Sequence, residues 1–454
     1  MINNLKSIIN GIDADYADIR YEIKTTNRVT MSKGEIQNAG SNSGDGFVLR
    51  VLENSGFSTV SFTRPEDAQT AIKKALDNAN LLAENQDKPV KMATSPVVKD
   101  SYKHELNEDP RDYSLAEKTD LVRHYSELLY AQPKVTNARF WYTDEIREKL
   151  FVNSEGSEIK EELVTTILEG FVTCSDGDKM DEEYFSFGSS NGLGKLRNRD
   201  EEVIKAAKIA FDLLNAEQVQ SGTYDVILAP SMTGNFVHES FGHVSEANVV
   251  KGLPSIREKM QLGTKLGSDI LNIVSDVTLP DQISFYKYDD EGTRAKKVNL
   301  MSSGVLTGRL HNRITATEFN EPITGHNVAF DYSFEPIIRM GSIFIESGTS
   351  TFNELLQQLG DGLYLCSSDG GMTRGENFTF SCRWGHKVEN GKITDMIKMC
   401  NMTGNLFETL KKITAIGDDL KMDEYGPCMT SQANYKNIFG GPHILIKNVT
   451  VGGV

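Results

Sequence analysis

Residues 234–250 read GNFVHESFGHVSEANVV and set His238, Glu239 and His243 within six positions of one another. Two imidazoles with a carboxylate beside the first are the groups of the H-E-x-x-H zinc-protease pattern, in which paired histidines bind a metal and the glutamate serves as base. Here one extra residue separates the histidines. On a regular helix an i, i+4 pair lies ~40° apart and an i, i+5 pair ~140° apart. His238 and His243 therefore cannot face one ion from an unbroken α-helix. A π-bulge or a break at Gly242 would bring them together, and such bulges concentrate at functional sites. Glycine accepts that distortion cheaply. The competing reading is an amphipathic helix whose histidines are ordinary surface or core residues.

A catalytic zinc takes three protein ligands and leaves a fourth position for water. Glu246, three residues after His243, is one candidate for the third ligand; a residue distant in sequence is the other. Cys366 (LYLC), Cys382 (FTFSC) and Cys400 (IKMC) sit in strand-like apolar runs and read as buried structural thiols. Cys174 precedes a Ser-Asp-Gly turn and has no evident role. Cys428 lies in EYGPCMTS, an irregular Gly-Pro loop where a thiol has no packing reason to be, which makes it a candidate ligand. The segment YDDEGTR could supply site carboxylates from Asp289, Asp290 and Glu291, although acids before a glycine more often make a turn. His104, His124, His311, His326, His386 and His443 read as surface or structural. Among them His326, in ITGHNVAF, sits in a glycine-containing segment that could line a cleft.

These groups need elements to position them. DVILAP reads as a short buried strand, and Ser231 after Pro230 as the cap of the histidine-bearing helix, expected over about Met232 to Val249. Upstream, DIRYEIKT alternates Ile19, Tyr21 and Ile23 on one strand face, and GFVLRVLENSGFSTVSF reads as a hairpin turning at Asn54-Ser55-Gly56. A helix from Pro65 follows. The order recurs with strands in REKLFVNSEG and EELVTTILEGFVTCSDG and a helix carrying Val203, Ala207, Ala210 and Leu214. Two such meander-then-helix units suggest a pseudo-repeat. Residues 84–112 read as an extended surface connection, and Ser114 with Glu117 as a capping box for the helix through Leu121, Tyr125 and Leu128. VENGKI and MSSGVLTG are hairpin signals. The expected fold is α+β: an N-terminal α/β domain of antiparallel sheets with helices (1–218), then a largely antiparallel β domain carrying the H-E-x-x-x-H helix (219–454).

The chain has 454 residues, 39% apolar and 25% charged, with a formal net charge of -16. That balance is an ordinary soluble one, and the negative charge disfavours direct contact with nucleic acid or anionic lipid. No segment approaches ~18 uninterrupted apolar residues, so no membrane span is expected. The N-terminus lacks a signal-peptide core, and five scattered cysteines without a C-x-x-C pair read as reduced thiols of a cytoplasmic protein.

HESFGH resembles the H-E-x-x-x-H motif of the TldD/PmbA family of metallopeptidases, also described as modulators of DNA gyrase. The resemblance runs almost end to end, through GDGFVLRV, YDDEG, GHNVAFDYSFEPIIRM, SSDGGMTRGENFTFSC, VENGKIT, ITAIGDDL, GPCMTS and the terminal VTVGG. It implies zinc held by His238, His243 and Cys428, with Glu239 as general base. It also implies a chamber shared with a partner, either a PmbA/TldE-type paralogue or a second copy, that admits short or unfolded peptides. The rival reading is a non-catalytic regulatory or binding subunit of such a complex, acting on a gyrase or a toxin–antitoxin system. Chains of that kind lack the metal motif, and this one keeps all four residues.

Overall fold

The structure is a computed structural model that describes residues 1–86, 88–426, 428 and 437–453. Its N-terminal half is one seven-stranded sheet built twice over from the same plan. Helix α1 (Ile2–Asn10) precedes the meander β1 (Tyr16–Ser32), β2 (Glu35–Glu53) and β3 (Gly56–Phe62), and α2 (Ala68–Asn85) closes the unit. After the strand β4 (Lys99–Lys103), α3 (Leu115–Tyr130) precedes β5 (Val135–Asn153), β6 (Glu158–Asp176) and β7 (Lys179–Ser189), and α4 (Asp200–Leu213) closes the second. The two meanders join where β1 and β5 pair antiparallel from Asp18 with Asn153 to Ser32 with Arg139. The duplication read from the element order is therefore a structural one. The β2–β3 hairpin turns at Asn54 and Ser55, both with positive φ, and the Ser114–Glu117 capping box is formed.

Alternation along the strands gives the sheet two different faces. One is apolar: Ile19, Tyr21, Leu49 and Val51 pack with Leu5 and Ile9 of α1 and Ala71, Ile72 and Ala75 of α2. The other is charged and equally buried. Arg20, Glu22, Arg50, Arg147 and Lys149 there meet the 289–291 segment of the C-terminal half. Asp290 takes three cations, Arg20 at 3.3 Å, Arg147 at 3.3 Å and Lys149 at 3.1 Å, and Glu291 takes Arg50 at 3.2 Å. Although burial opposes it, these neighbours hold the Asp290 carboxyl well below its usual range. YDDEG is thus neither a surface turn nor part of the metal cluster. It is the charged clasp between the two halves.

The segment 84–112 departs from the extended surface connection, because Lys99–Lys103 adds a parallel edge strand to the first part of β6. In the C-terminal half, the strand β8 (Gly222–Leu228) lies centrally in a second seven-stranded sheet, parallel to Gly362–Arg374 on one side and antiparallel to Ile444–Gly453 on the other. A six-stranded sheet faces the same core and includes one further parallel pair, Ser342–Ile345 with Ile438–Gly441. The domain is mostly antiparallel, as expected, with these two parallel strand pairs among the described residues. Between its sheets runs α5 (Pro230–Val237), whose Met232, Phe236 and Val237 are fully buried in the largest core cluster.

Candidate metal centre

The helix that carries the histidines is not continuous. After α5 the chain widens into a π turn over His238–Gly242, tightens into a 3-10 turn over His243–Ser245, and turns extended at Glu246. The expected single helix from Met232 to Val249 is therefore broken at Glu246, while the expected distortion between the two histidines is present. Ser231 does not cap the helix; Pro230 occupies its first turn and the Ser231 hydroxyl donates to Asp423 at 3.1 Å. Carbonyls freed by the irregular turns are taken up locally, Phe236 by the Ser240 hydroxyl and Gly242 by the Ser245 hydroxyl.

Gly242 has a packing reason to be glycine. Its φ of -58° suits any residue, but a Cβ there would stand 2.4 Å from the Met340 sulfur and 3.0 Å from Ile343 Cδ1. The π turn lies directly on the buried Met340 and Ile343 side chains, which would have to give way to any side chain at 242.

The extra residue absorbed by the π turn swings both imidazoles to one side, with ring centroids 5.0 Å apart. Cys428 joins them from 185 positions away, its sulfur 3.6 Å from His243 Nε2. One ligand atom from each of His238, His243 and Cys428 lies within 4.8 Å of the others. Glu239 reaches the same space, with carboxylate oxygens 3.8 Å from His238 Nε2 and 3.8 Å from His243 Nε2. Apart from Gly426 and Cys428, the rest of the GPCMTS segment lies outside the described residues.

Two imidazoles and a thiol at this spacing suit a borderline or soft divalent metal. The electrostatics agree with that chemistry. Burial raises the Cys428 thiol, but hydrogen bonding to His238 and His243 outweighs it and brings the pKa down to about 3. Burial lowers His243, yet contacts with Cys428 and Glu246 carry it up to about 10. Sulfur and imidazole thus form an ion pair, and a metal cation would take the place of the shared proton. Burial also raises the Glu239 carboxyl, countered in part by the two histidines.

Glu246 takes a different part from the ligand role open to it in the sequence. It is 1% exposed and sits 3.8 Å from His243 Nδ1, across the ring from Cys428. Its Oε1 accepts from the Met340 N–H at 3.3 Å and pairs with Arg339 at 3.2 Å. A carboxylate behind a ligating imidazole fixes tautomer and ring orientation. Arg339 escaped the sequence reading. It also interacts with the Cys428 sulfur, and its only signal was one arginine inside the apolar run EPIIRMGSIFI. Thr373 was missed as well: its hydroxyl donates to the Glu239 carbonyl at 2.7 Å and ties that backbone to the strand Gly362–Arg374.

The remaining histidines stand apart from this cluster. His326 is fully buried, its Nδ1 bonded to the Thr324 carbonyl at 3.0 Å and its Nε2 3.3 Å from the Ser275 hydroxyl, so it packs the core and does not line a cleft. Cys366, Cys382 and Cys400 are buried in strands, as expected.

The cluster opens into a cleft of about 600 Å³ between the two halves. His238, Glu239 and Asn235 form part of its wall. Residues 183–187 of β7 and 366–370 of the strand Gly362–Arg374 also line it. Among the described residues β7 pairs only with β6, and all five of these consecutive residues border the cleft, so its outer edge faces it. Among the described residues, no helix is long and apolar enough to cross a membrane.

The fold and this cluster together define a class, the metallopeptidases. The family description "PmbA/TldA metallopeptidase C-terminal domain" matches residues 221–453, with domain 1 of the same family matching 17–79 and the central domain 108–216. The chain belongs to the PmbA/TldD metallopeptidase family. A metalloprotease of Synechocystis sp. is 33% identical over 97% of this chain and 95% of its own. A zinc metalloprotease TldD homolog of Saccharolobus solfataricus is 28% identical over 97% of each. Among solved structures, a candidate DNA gyrase modulator from Thermotoga maritima superposes with a TM-score of 0.82 at 19% identity over 100% of both chains. TldE from Thermococcus kodakarensis superposes with a TM-score of 0.79 at 18% identity over 99% of each. At such identities these likenesses speak for the fold.

Proposed function

We propose that this chain is a zinc-dependent peptidase acting on short or unfolded peptides, with His238, His243 and Cys428 holding the ion and Glu239 acting as base. The observation that carries the reading is the convergence of the three ligand atoms within 4.8 Å, with the Glu239 carboxylate 3.8 Å from both imidazoles. The donor set fits zinc. Bonds of ~2.3 Å to sulfur and ~2.0–2.1 Å to nitrogen in a tetrahedral site separate the two atoms by about 3.6 Å, and Cys428 Sγ and His243 Nε2 are 3.6 Å apart. When bound, the ion supplies Lewis acidity, making a water more acidic and a scissile carbonyl more electrophilic.

The chain's own groups do the rest. One Glu239 oxygen takes the proton from the attacking water and delivers it to the leaving amine nitrogen. Glu246 and Arg339 keep the His243 ring and the Cys428 sulfur oriented. The outer edge of β7, which has no strand partner among the described residues, can receive an extended substrate, so recognition runs through main-chain hydrogen bonds that tolerate many sequences. The functional division is 1–218 for the sheet that supplies this edge and 219–454 for the metal-bearing domain. The fold shared with a TldE supports a heterodimer with a paralogue of that kind as the working unit, a homodimer being the alternative, and the reduced thiols suit the cytoplasm. Elemental analysis of the purified chain, alone and with a candidate paralogue, tests the reading: one zinc per chain supports it, and absence of metal from both preparations refutes it.

A further inference from the structure

Away from the metal cluster, the cleft carries two carboxylates that form no ion pair among the described residues. Glu183 on β7 is 4% exposed and lines the cleft; Oε1 accepts from the Ser367 hydroxyl at 3.2 Å, and among the described residues Oε2 has no hydrogen-bond partner. Glu169 on β6 accepts from the Tyr184 hydroxyl at 3.2 Å. The guanidiniums of the cleft are already committed. Arg199 pairs with Glu424 at 2.7 Å and Glu202 at 3.1 Å, while Arg383 pairs with Asp369 and stands over the Phe171 ring at 5.4 Å. Lys205 and Lys421 are exposed. Neither Glu169 nor Glu183 forms an ion pair among the described residues. Burial pushes both carboxyls up to about 7, with Trp384, Arg383 and Ser367 pulling Glu183 back only in part. Desolvated carboxylates without an ion-pair partner are costly to keep, and their positions in the cleft suit a ligand that brings a positive charge.

Their placement on the edge strand is also specific. Val172 pairs with Glu183, Phe171 with Tyr184 and Glu169 with Ser186. Glu183 and Glu169 therefore stand on opposite faces of the sheet, either side of β7. An extended chain laid along the outer edge of β7 sends successive side chains to alternate faces. One would meet Glu183 beside Ser367 and Trp384, the next Glu169 beside Phe171 and Tyr184, with aromatic faces that also favour cations.

We propose that the cleft selects peptides carrying an ammonium or guanidinium group, received by Glu183 and, on the other face of the β7 edge, by Glu169. This rests on the peptide-cleft reading above and deepens it from peptides in general to basic ones. The cation could be a lysine or arginine side chain or the α-amino terminus, and the test separates these sources.

Binding of labelled short peptides is measured by fluorescence anisotropy on the full-length, metal-loaded chain carrying Glu239→Gln. The peptides form a matched set, with lysine or norleucine at a central position and a free or acetylated N-terminus. The expected result is about 10-fold or more tighter binding of the cationic member, the scale of a hydrogen bond to a charged group. A gap between lysine and norleucine assigns the side chain, and a gap between free and acetylated peptides assigns the terminus. Glu183→Gln should bring the ratio close to one. Glu169→Gln, at a less buried position, should lower it even where the first variant folds poorly. Equal binding of all four peptides, or a ratio untouched by both substitutions, overturns the inference. Charge-selective binding without hydrolysis by the chain that retains Glu239 overturns the peptidase reading instead and leaves this inference standing.

Discussion

Cys428 Sγ lies 3.6 Å from Nε2 of His243, while Glu246 stands 3.8 Å from Nδ1 on the far side of the same ring. One imidazole is thus held between a candidate ligand and a carboxylate that orients it. Glu246 is already engaged by Arg339 and the Met340 N–H, which leaves the thiol as the better third ligand. Cys428→Ser should lose most of the bound metal and the activity while circular dichroism stays unchanged. Full metal occupancy in that variant would move the ligand role to Glu246.

Glu239 lies next to the three candidate ligands, 3.8 Å from both imidazoles. Glu239→Gln keeps the shape and removes the basic carboxylate, so zinc should remain by elemental analysis. Hydrolysis of an unfolded peptide should fall ~10²-fold or more, the range for a lost general base. A metal-loaded variant that cleaves at the original rate would remove Glu239 from the mechanism.

Gly242 tests the link between backbone and site. A Cβ there would meet the Met340 sulfur at 2.4 Å, so Gly242→Ala forces the buried Met340 side chain or the π turn to shift. Overpacking of this kind costs about 1–3 kcal/mol. The thermal midpoint should drop and metal content should fall with it, because the turn is what brings the two rings together. An alanine variant with unaltered metal content would show the turn tolerates displacement.

His326 gives the expected pH response of stability. Burial depresses its pKa from 6.5 to about 4, so the folded protein holds the ring neutral. As pH falls below 6.5 the unfolded chain gains a proton that the folded one does not. Stability present above that pH is therefore lost on acidification down to about pH 4, by roughly 3 kcal/mol in all. Denaturant titrations at several pH values should show His326→Asn losing this component, its deficit against the parent shrinking as pH falls. A deficit constant from pH 7 to 4 would contradict it.

Local signals carried much of the architecture. The Asn54-Ser55 hairpin and the Ser114–Glu117 box each rest on a few adjacent residues and formed as read, while the strand of Ile19, Tyr21 and Ile23, whose alternation is that of a half-buried strand, is buried on both faces. The i, i+5 spacing of His238 and His243 made a helical irregularity necessary for a shared face, because the angular step of a helix is fixed by its backbone. The spacing could not say what would sustain it. That came from the fit of Gly242 against Met340, a contact spanning nearly a hundred positions.

Composition and motif alone determined the class of chemistry open to this protein: two imidazoles, a carboxylate between them, a loop thiol and a charge unsuited to nucleic acid. Tertiary structure decided which groups meet. It carried Cys428 to His243, turned Glu246 and Arg339 into supports, and buried YDDEG among Arg20, Arg147 and Lys149. It also exposed the edge of β7 to the cleft, with Glu183 and Glu169 on either side. The physical reason is range. Periodicity and capping act within a turn or two of the chain, whereas ligand convergence, desolvation and charge pairing depend on distances that only the folded packing sets.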